Sequence, residues 1–166
     1  MSEQLAFPGR FVPHATNMPQ PPNAPALPNR VSRRSMITQL LYTSASRHPR
    51  GHSSDFEILQ DALSHNRVQG VTGYLLRDIG GFCQVLEGPA EIVEPLFARI
   101  SGDPRHSDVV LRMRRQVPER GFLGWSMGYA SLSPEDSAFL ATCFAEGAGG
   151  ILLAFERIGR VASGQD

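Results

Sequence analysis

The chain has 166 residues, with sixteen Lys+Arg against sixteen Asp+Glu; that is room for one domain plus a tail, and no net field to draw nucleic acid or an anionic membrane surface. Its two cysteines, Cys83 and Cys143, suit a reducing compartment better than a disulfide framework and fall short of any zinc spacing. No apolar stretch approaches the ~18–20 residues of a membrane span and the Pro-rich start lacks a signal-peptide core, so a cytoplasmic protein with no metal and no membrane partner is expected.

Residues 1–34 read as a disordered tail, because Pro8, Pro13, Pro19, Pro21, Pro22, Pro25 and Pro28 interrupt any helix or ladder. Residues 35–130 read as the folded domain and 131–166 as a helical C-terminal extension. The first strand is expected over Ile37 to Thr43, followed by a polar loop through Arg47 to His52. Ser54 with Glu57 three residues later makes a capping box, which predicts a helix running to about Arg67. On it Ile58, Ala62 and Asn66 form one stripe, and Gly70 stops it. Val71–Leu76 and Phe82–Leu86 read as a hairpin turned through Asp78 to Gly81.

A second helix carries Ile92, Val93, Leu96, Phe97 and Ile100 on one face, with Pro95 expected to remove an early hydrogen bond or shift its start. Val109–Val117 and Phe122–Tyr129 read as a fourth and a fifth strand, with Trp125 and Met127 on one face of the latter. Ser133-Pro134-Glu135-Asp136 opens a terminal helix, Gly147, Gly149 and Gly150 break it, and Ile151 to Ile158 forms a short further element. The fold class is therefore α+β: a ferredoxin-like βαββαβ core with an additional strand and a C-terminal helical segment. Both core helices cover one sheet face, and the other face takes the C-terminal helix or another subunit.

Four side chains stand out in these apolar segments: Tyr42, Asn66, Gln84 and Trp125. A buried amide costs roughly 1–3 kcal/mol unless its donor and acceptor are both matched. Gln84, mid-strand in Phe82-Cys-Gln-Val-Leu86, therefore needs a partner, and the set suits a bound polar ring system. Taken singly, Tyr42 and Trp125 read as core packing, Asn66 as a helix cap, Met127 as a gap filler, and His65 and His106 as surface histidines.

The segments Ser64-His-Asn-Arg-Val-Gln-Gly-Val-Thr-Gly73 and Phe82-Cys-Gln-Val-Leu-Glu-Gly-Pro89, with Asp103-Pro-Arg-His106 and Phe122-Leu-Gly-Trp-Ser-Met127, together resemble the BLUF domains, blue-light sensors that use FAD. The likeness covers about Met36 to Tyr129. It implies non-covalent FAD and a light-driven electron and proton transfer from Tyr42 to the flavin. Gln84 then lies between Tyr42 and the flavin, Asn66 bonds the polar edge of the ring, and Ile58 and His65 pack near it. Arg99, Asp103, Arg105 and His106 fall in the segment used around the flavin's carbonyl and ribityl side, and Trp125 and Met127 relay the signal from Gln84. Cys83, Gly81 and Pro95 depart from the family's usual residues without removing a photochemical group.

The same strand order serves acyl-phosphate hydrolases, but no Gly-rich phosphate loop precedes the first helix. RNA binding on such a sheet needs surface aromatics and a basic field. A dark flavoenzyme needs an acid–base pair that is not evident. A light-insensitive flavoprotein or interaction module on this fold is the alternative to a photoreceptor. About 37 residues after Tyr129 leave no room for an attached output enzyme, so the expected output is a downstream protein or a change in homo-oligomer assembly.

Overall fold

The computed structural model of the chain describes residues 36–124 and 126–164, all within one compact unit, Arg34–Asp166. The expected tail over residues 1–34 lies outside the described residues. In chain order the elements are β1 (Ile37–Ser46), α1 (Ser53–Gln69), β2 (Thr72–Arg77), β3 (Gly81–Gly88), α2 (Ala90–Ser101), β4 (His106–Val117), β5 (Gly128–Ser131), α3 (Pro134–Ala145) and α4 (Ala148–Ser163). The strands form one sheet in the order β4-β1-β3-β2-β5. The first four are antiparallel neighbours in the ferredoxin-like order, and β5 adds in parallel to the β2 edge.

Strand alternation divides the interior into two cores. Leu40, Tyr42, Leu75, Phe82 and Leu86 face α1 and α2, where they meet Ile58, Val93 and Leu96. Leu41, Tyr74, Leu76, Cys83 and Val85 face the other way and meet Leu140 and Cys143 of α3 and Ile151, Ala154 and Ile158 of α4. Each buried aliphatic side chain contributes about 1.5–3 kcal/mol. The C-terminal helices thus cover the second sheet face, the first of the two occupants expected from sequence. Both cysteines are buried as free thiols in that core, and burial pushes the Cys83 thiol up to about 12.

Three local expectations are corrected. The side chain that caps α1 belongs to His52, whose Nδ1 accepts from the Ser54 amide at 3.2 Å. Ser54 already lies in the first turn, because Asp55 reaches the buried Arg77 at 2.9 Å and also takes the Gly51 amide at 2.9 Å, which sets where the chain enters the helix. The fifth strand is Gly128–Ser131 only. Ahead of it Gly124 has φ +87°, and the Gly121 and Phe122 amides donate to Glu87 rather than to a neighbouring strand. The last element, α4, is a full helix that contains Gly149 and Gly150. Pro95 lies inside α2, which still begins at Ala90.

Candidate functional site

Tyr42 and Gln84 sit directly opposite each other on β1 and β3, so their side chains leave the same sheet face side by side. The Tyr42 hydroxyl donates to Gln84 Oε1, and Gln84 Nε2 donates to the Met127 sulfur at 3.3 Å. On its other side β1 pairs with β4 through a register slip between Leu41 and Tyr42, an irregularity of the kind that re-aims a side chain beside a functional site. Tyr42 is fully buried, Gln84 and Met127 nearly so. Burial pushes the phenol far above its ordinary pKa of 10.0, with smaller contributions from Cys83 and Asp103, so Tyr42 stays protonated at any physiological pH.

Asn66 closes α1. Its backbone carbonyl accepts from Gly70 (φ +66°) and from Val71 at 2.9 Å, so the main chain does the capping. That leaves its side-chain amide to donate to the Ser126 carbonyl at 3.2 Å. The connection between β4 and β5 therefore touches both site amides, Asn66 through Ser126 and Gln84 through Met127.

Above this floor a cavity of about 310 Å³ opens between α1 and α2. Tyr42, Gln84, Ile58, His65, Asn66, Arg99, Asp103, Arg105 and His106 all line it. At its rim Arg105 joins Asp103 (2.6 Å) and Asp61 of α1 (2.9 Å). The Arg105 hydrogen bonds hold the Asp103 carboxyl below its ordinary 3.8. His106 is buried with Nδ1 3.0 Å from Ser44 Oγ and its ring 5.0 Å from that of Phe82. Desolvation, aided by Arg105 and Arg77 and opposed by Asp103, lowers its pKa below 6.5 and keeps the imidazole neutral.

Residues 37–128 match the family described as sensors of blue light using FAD, BLUF. The chain belongs to the BLUF family. Its BLUF region is 38% identical over 84 residues to the photoactivated adenylate cyclase subunit beta of Euglena gracilis, covering 51% of this chain and 10% of that protein. It is 36% identical over 87 residues to the blue light- and temperature-regulated antirepressor BluF of Escherichia coli K12, covering 52% of this chain and 22% of that one. The chain therefore spans only a small part of the curated relatives it matches. Among solved structures, the dark state of BlrB, a BLUF protein, superimposes with TM-score 0.65 at 26% identity over 79% of this chain and 98% of that one.

The family's cofactor is FAD, and the BLUF cavity has the chemistry for its ring. Ile58 of α1 and Leu96 and Ile100 of α2 supply apolar walls, while Asn66, Gln84 and the neutral His106 supply polar groups at its edge. Its volume lies at the low end for ligand pockets, a size for the ring system more than for a whole dinucleotide. Sequence reasoning missed Asp61, although residues 58, 61, 62, 65 and 66 share one helical face at spacings of three and four. Leu96 and Ile100 were legible only as a core-facing stripe. Trp125 lies outside the described residues. Among those residues no group of His, Cys, Asp and Glu is placed to hold a metal ion, and no helix is long and apolar enough to cross a membrane.

Proposed function

We propose that Tyr42, Gln84 and Met127 are the light-switched unit of this BLUF domain, with Ile58, His65, Asn66, Arg99, Asp103, Arg105 and His106 holding the cofactor. Bound there, FAD supplies blue-light absorption and an electron-accepting ring. The observation that carries the reading is the continuous side-chain chain from phenol to amide to thioether along the cavity floor. Burial keeps Tyr42 a neutral phenol, so an electron it gives up is accompanied or followed by its proton, which points at Gln84 Oε1. The Gln84 amide has one donor and one acceptor end. Turning it presents a donor to Tyr42 and an acceptor to Met127, and a thioether has no proton to give, so the Met127 bond is lost in the turned state. Exchanging its tautomer presents the new hydroxyl to Tyr42 and leaves one N–H on the nitrogen, which weakens the Met127 bond to a single available donor.

One or two altered hydrogen bonds amount to about 1–3 kcal/mol, enough to move a balanced equilibrium by roughly 5- to 150-fold. The change at Met127 reaches β5, one residue on, and then α3 and α4. From there the output passes to a separate downstream protein or into self-association of this chain. Trp125, in the same connection as Met127, is the other candidate relay.

The test is an absorption spectrum of the purified, FAD-loaded chain before and after a blue pulse, followed in the dark. A flavin band that moves to longer wavelength and returns is expected, and Tyr42→Phe should retain the flavin and lose the shift. A flavin band that never moves would make this a light-insensitive flavoprotein. A shift of normal size in Tyr42→Phe would remove Tyr42 from its role.

A further inference from the structure

Glu87 is the last residue but one of β3, which is buried throughout; it faces away from the cavity and is fully inaccessible to solvent. Its Oε1 accepts from Gln39 Nε2 at 2.5 Å and from the Gly121 amide at 2.8 Å. Its Oε2 accepts from Thr72 Oγ1 at 3.0 Å and from the Phe122 amide at 3.0 Å. Each oxygen thus holds one side chain of the sheet and one main-chain amide at the start of the β4–β5 connection. Arg120 adds to the grip, donating to Thr72 Oγ1 at 2.9 Å and to the Glu87 and Gly70 carbonyls at 2.8 and 2.6 Å.

The same cluster leads to α4. Gln39 accepts from Arg115 at 2.6 Å, and the Arg115 guanidinium lies 4.5 Å above the Phe155 ring. Phe155 also meets Phe122 edge-on, with centroids 5.9 Å apart at 74°. The other end of the connection belongs to the cavity, through Ser126 to Asn66 and Met127 to Gln84. One short segment is therefore gripped at its start by a buried carboxylate beside α4 and at its end by the two site amides.

We propose that Glu87 is a positioning residue for signal output: it fixes the start of the β4–β5 connection, so that a change at Met127 is carried through Phe122 to Phe155 on α4 instead of being absorbed by the loop. This rests on Gln84 being the switched amide. A carboxylate is the group that can hold four donors at once. In Glu87→Gln one oxygen becomes an NH2, and whichever way the amide points, one of the two loop amides loses its acceptor.

The experiment is hydrogen exchange of the full chain with FAD bound, in the dark and under blue light, with absorption spectra of the same samples. In the unaltered chain, α4 should show a light-dependent change in exchange alongside the flavin shift. Glu87→Gln should keep the flavin shift, because the Tyr42–Gln84 pair lies on the opposite face, while the light-dependent change in α4 falls at least about fivefold, the factor one lost hydrogen bond supplies. Phe155→Leu leaves the Glu87 bonds intact and should give the same separation; it carries the test if Glu87→Gln does not fold. Wild-type-sized α4 responses in these variants overturn the inference, as does an unaltered chain whose flavin shifts while α4 stays unchanged. Loss of the flavin shift in a folded Glu87→Gln chain also overturns it, since Glu87 would then act within the switch itself. An unaltered chain with no flavin shift removes the underlying reading, and a retained shift is what tells the two failures apart.

Discussion

Loss of the Gln84 amide removes the acceptor of the fully buried Tyr42 hydroxyl. Gln84→Leu should therefore cost about 1–3 kcal/mol of dark stability, the desolvation of one unpaired buried donor, and should abolish the light-induced flavin shift. Denaturant melts and the blue-pulse spectrum check the two halves separately; an unshifted stability with a lost shift would mean the phenol had found another acceptor. His106 makes a different prediction at the same scale. Burial holds its pKa below 6.5, so the unfolded chain takes up a proton where the folded chain does not. The stability it contributes is complete above about pH 6.5 and is lost as pH falls through the lowered folded value. Asp103 adds its own loss only below its ordinary 3.8, in a separate window. Melting temperature should fall as pH drops below 6.5, and His106→Gln should flatten that slope; an identical slope in the variant would assign it to another group.

The start of α1, the end of β2 and the hairpin turn are tied together by one buried cation. Arg77 donates to Asp55 Oδ1 (2.9 Å), Ser46 Oγ (3.2 Å) and the His48, Asp78 and Gly81 carbonyls (2.9, 2.6 and 3.0 Å). Asp55→Ala leaves that charge without its counter-ion and should destabilise the fold by about 3–5 kcal/mol, read from denaturant melts; a loss under 1 kcal/mol would show that the carbonyls alone suffice. At the α3–α4 contact, a Cβ on Gly150 would lie 2.1 Å from the Cys143 carbonyl oxygen, so Gly150→Ala should cost about 1–3 kcal/mol by pushing the helices apart. These elements also mark what sequence could and could not carry. Alternation in β3 placed Gln84 and Cys83 on opposite faces, and the spacing of Ile58, Ala62 and Asn66 put them on one cavity wall, because both patterns are local. Gly149 and Gly150 read as breakers because the close approach that requires a small residue is tertiary. The sequence assigns Arg77 and Glu87 no role of their own, because the groups that satisfy them arrive from distant loops. The fifth strand was overextended for the same reason: the amides of Gly121 and Phe122 have an acceptor that no local pattern reveals.

On the scale of the whole molecule, the sheet separates a cavity core from a helical-pair core, and the proposed signal passes between them around the β2 edge, where β5 and its preceding connection lie. On the proposed reading, FAD binding acts on the cavity side only. FAD at a free concentration a hundredfold above its dissociation constant stabilises the folded state by about 2.7 kcal/mol. For a chain of this size that corresponds to a rise in melting temperature of roughly 5–11 °C. Residues on the cavity face should reduce this increment, whereas residues on the helical-pair face should lower the melting temperature with and without FAD alike. Asn66→Ala belongs to the first group and Glu87→Gln to the second. Thermal melts of both variants, with and without FAD in the dark, separate them. A FAD increment equally reduced in the two variants would mean that the sheet transmits cofactor binding directly through its plane, and that the path around the β2 edge is not the main connection between the cores.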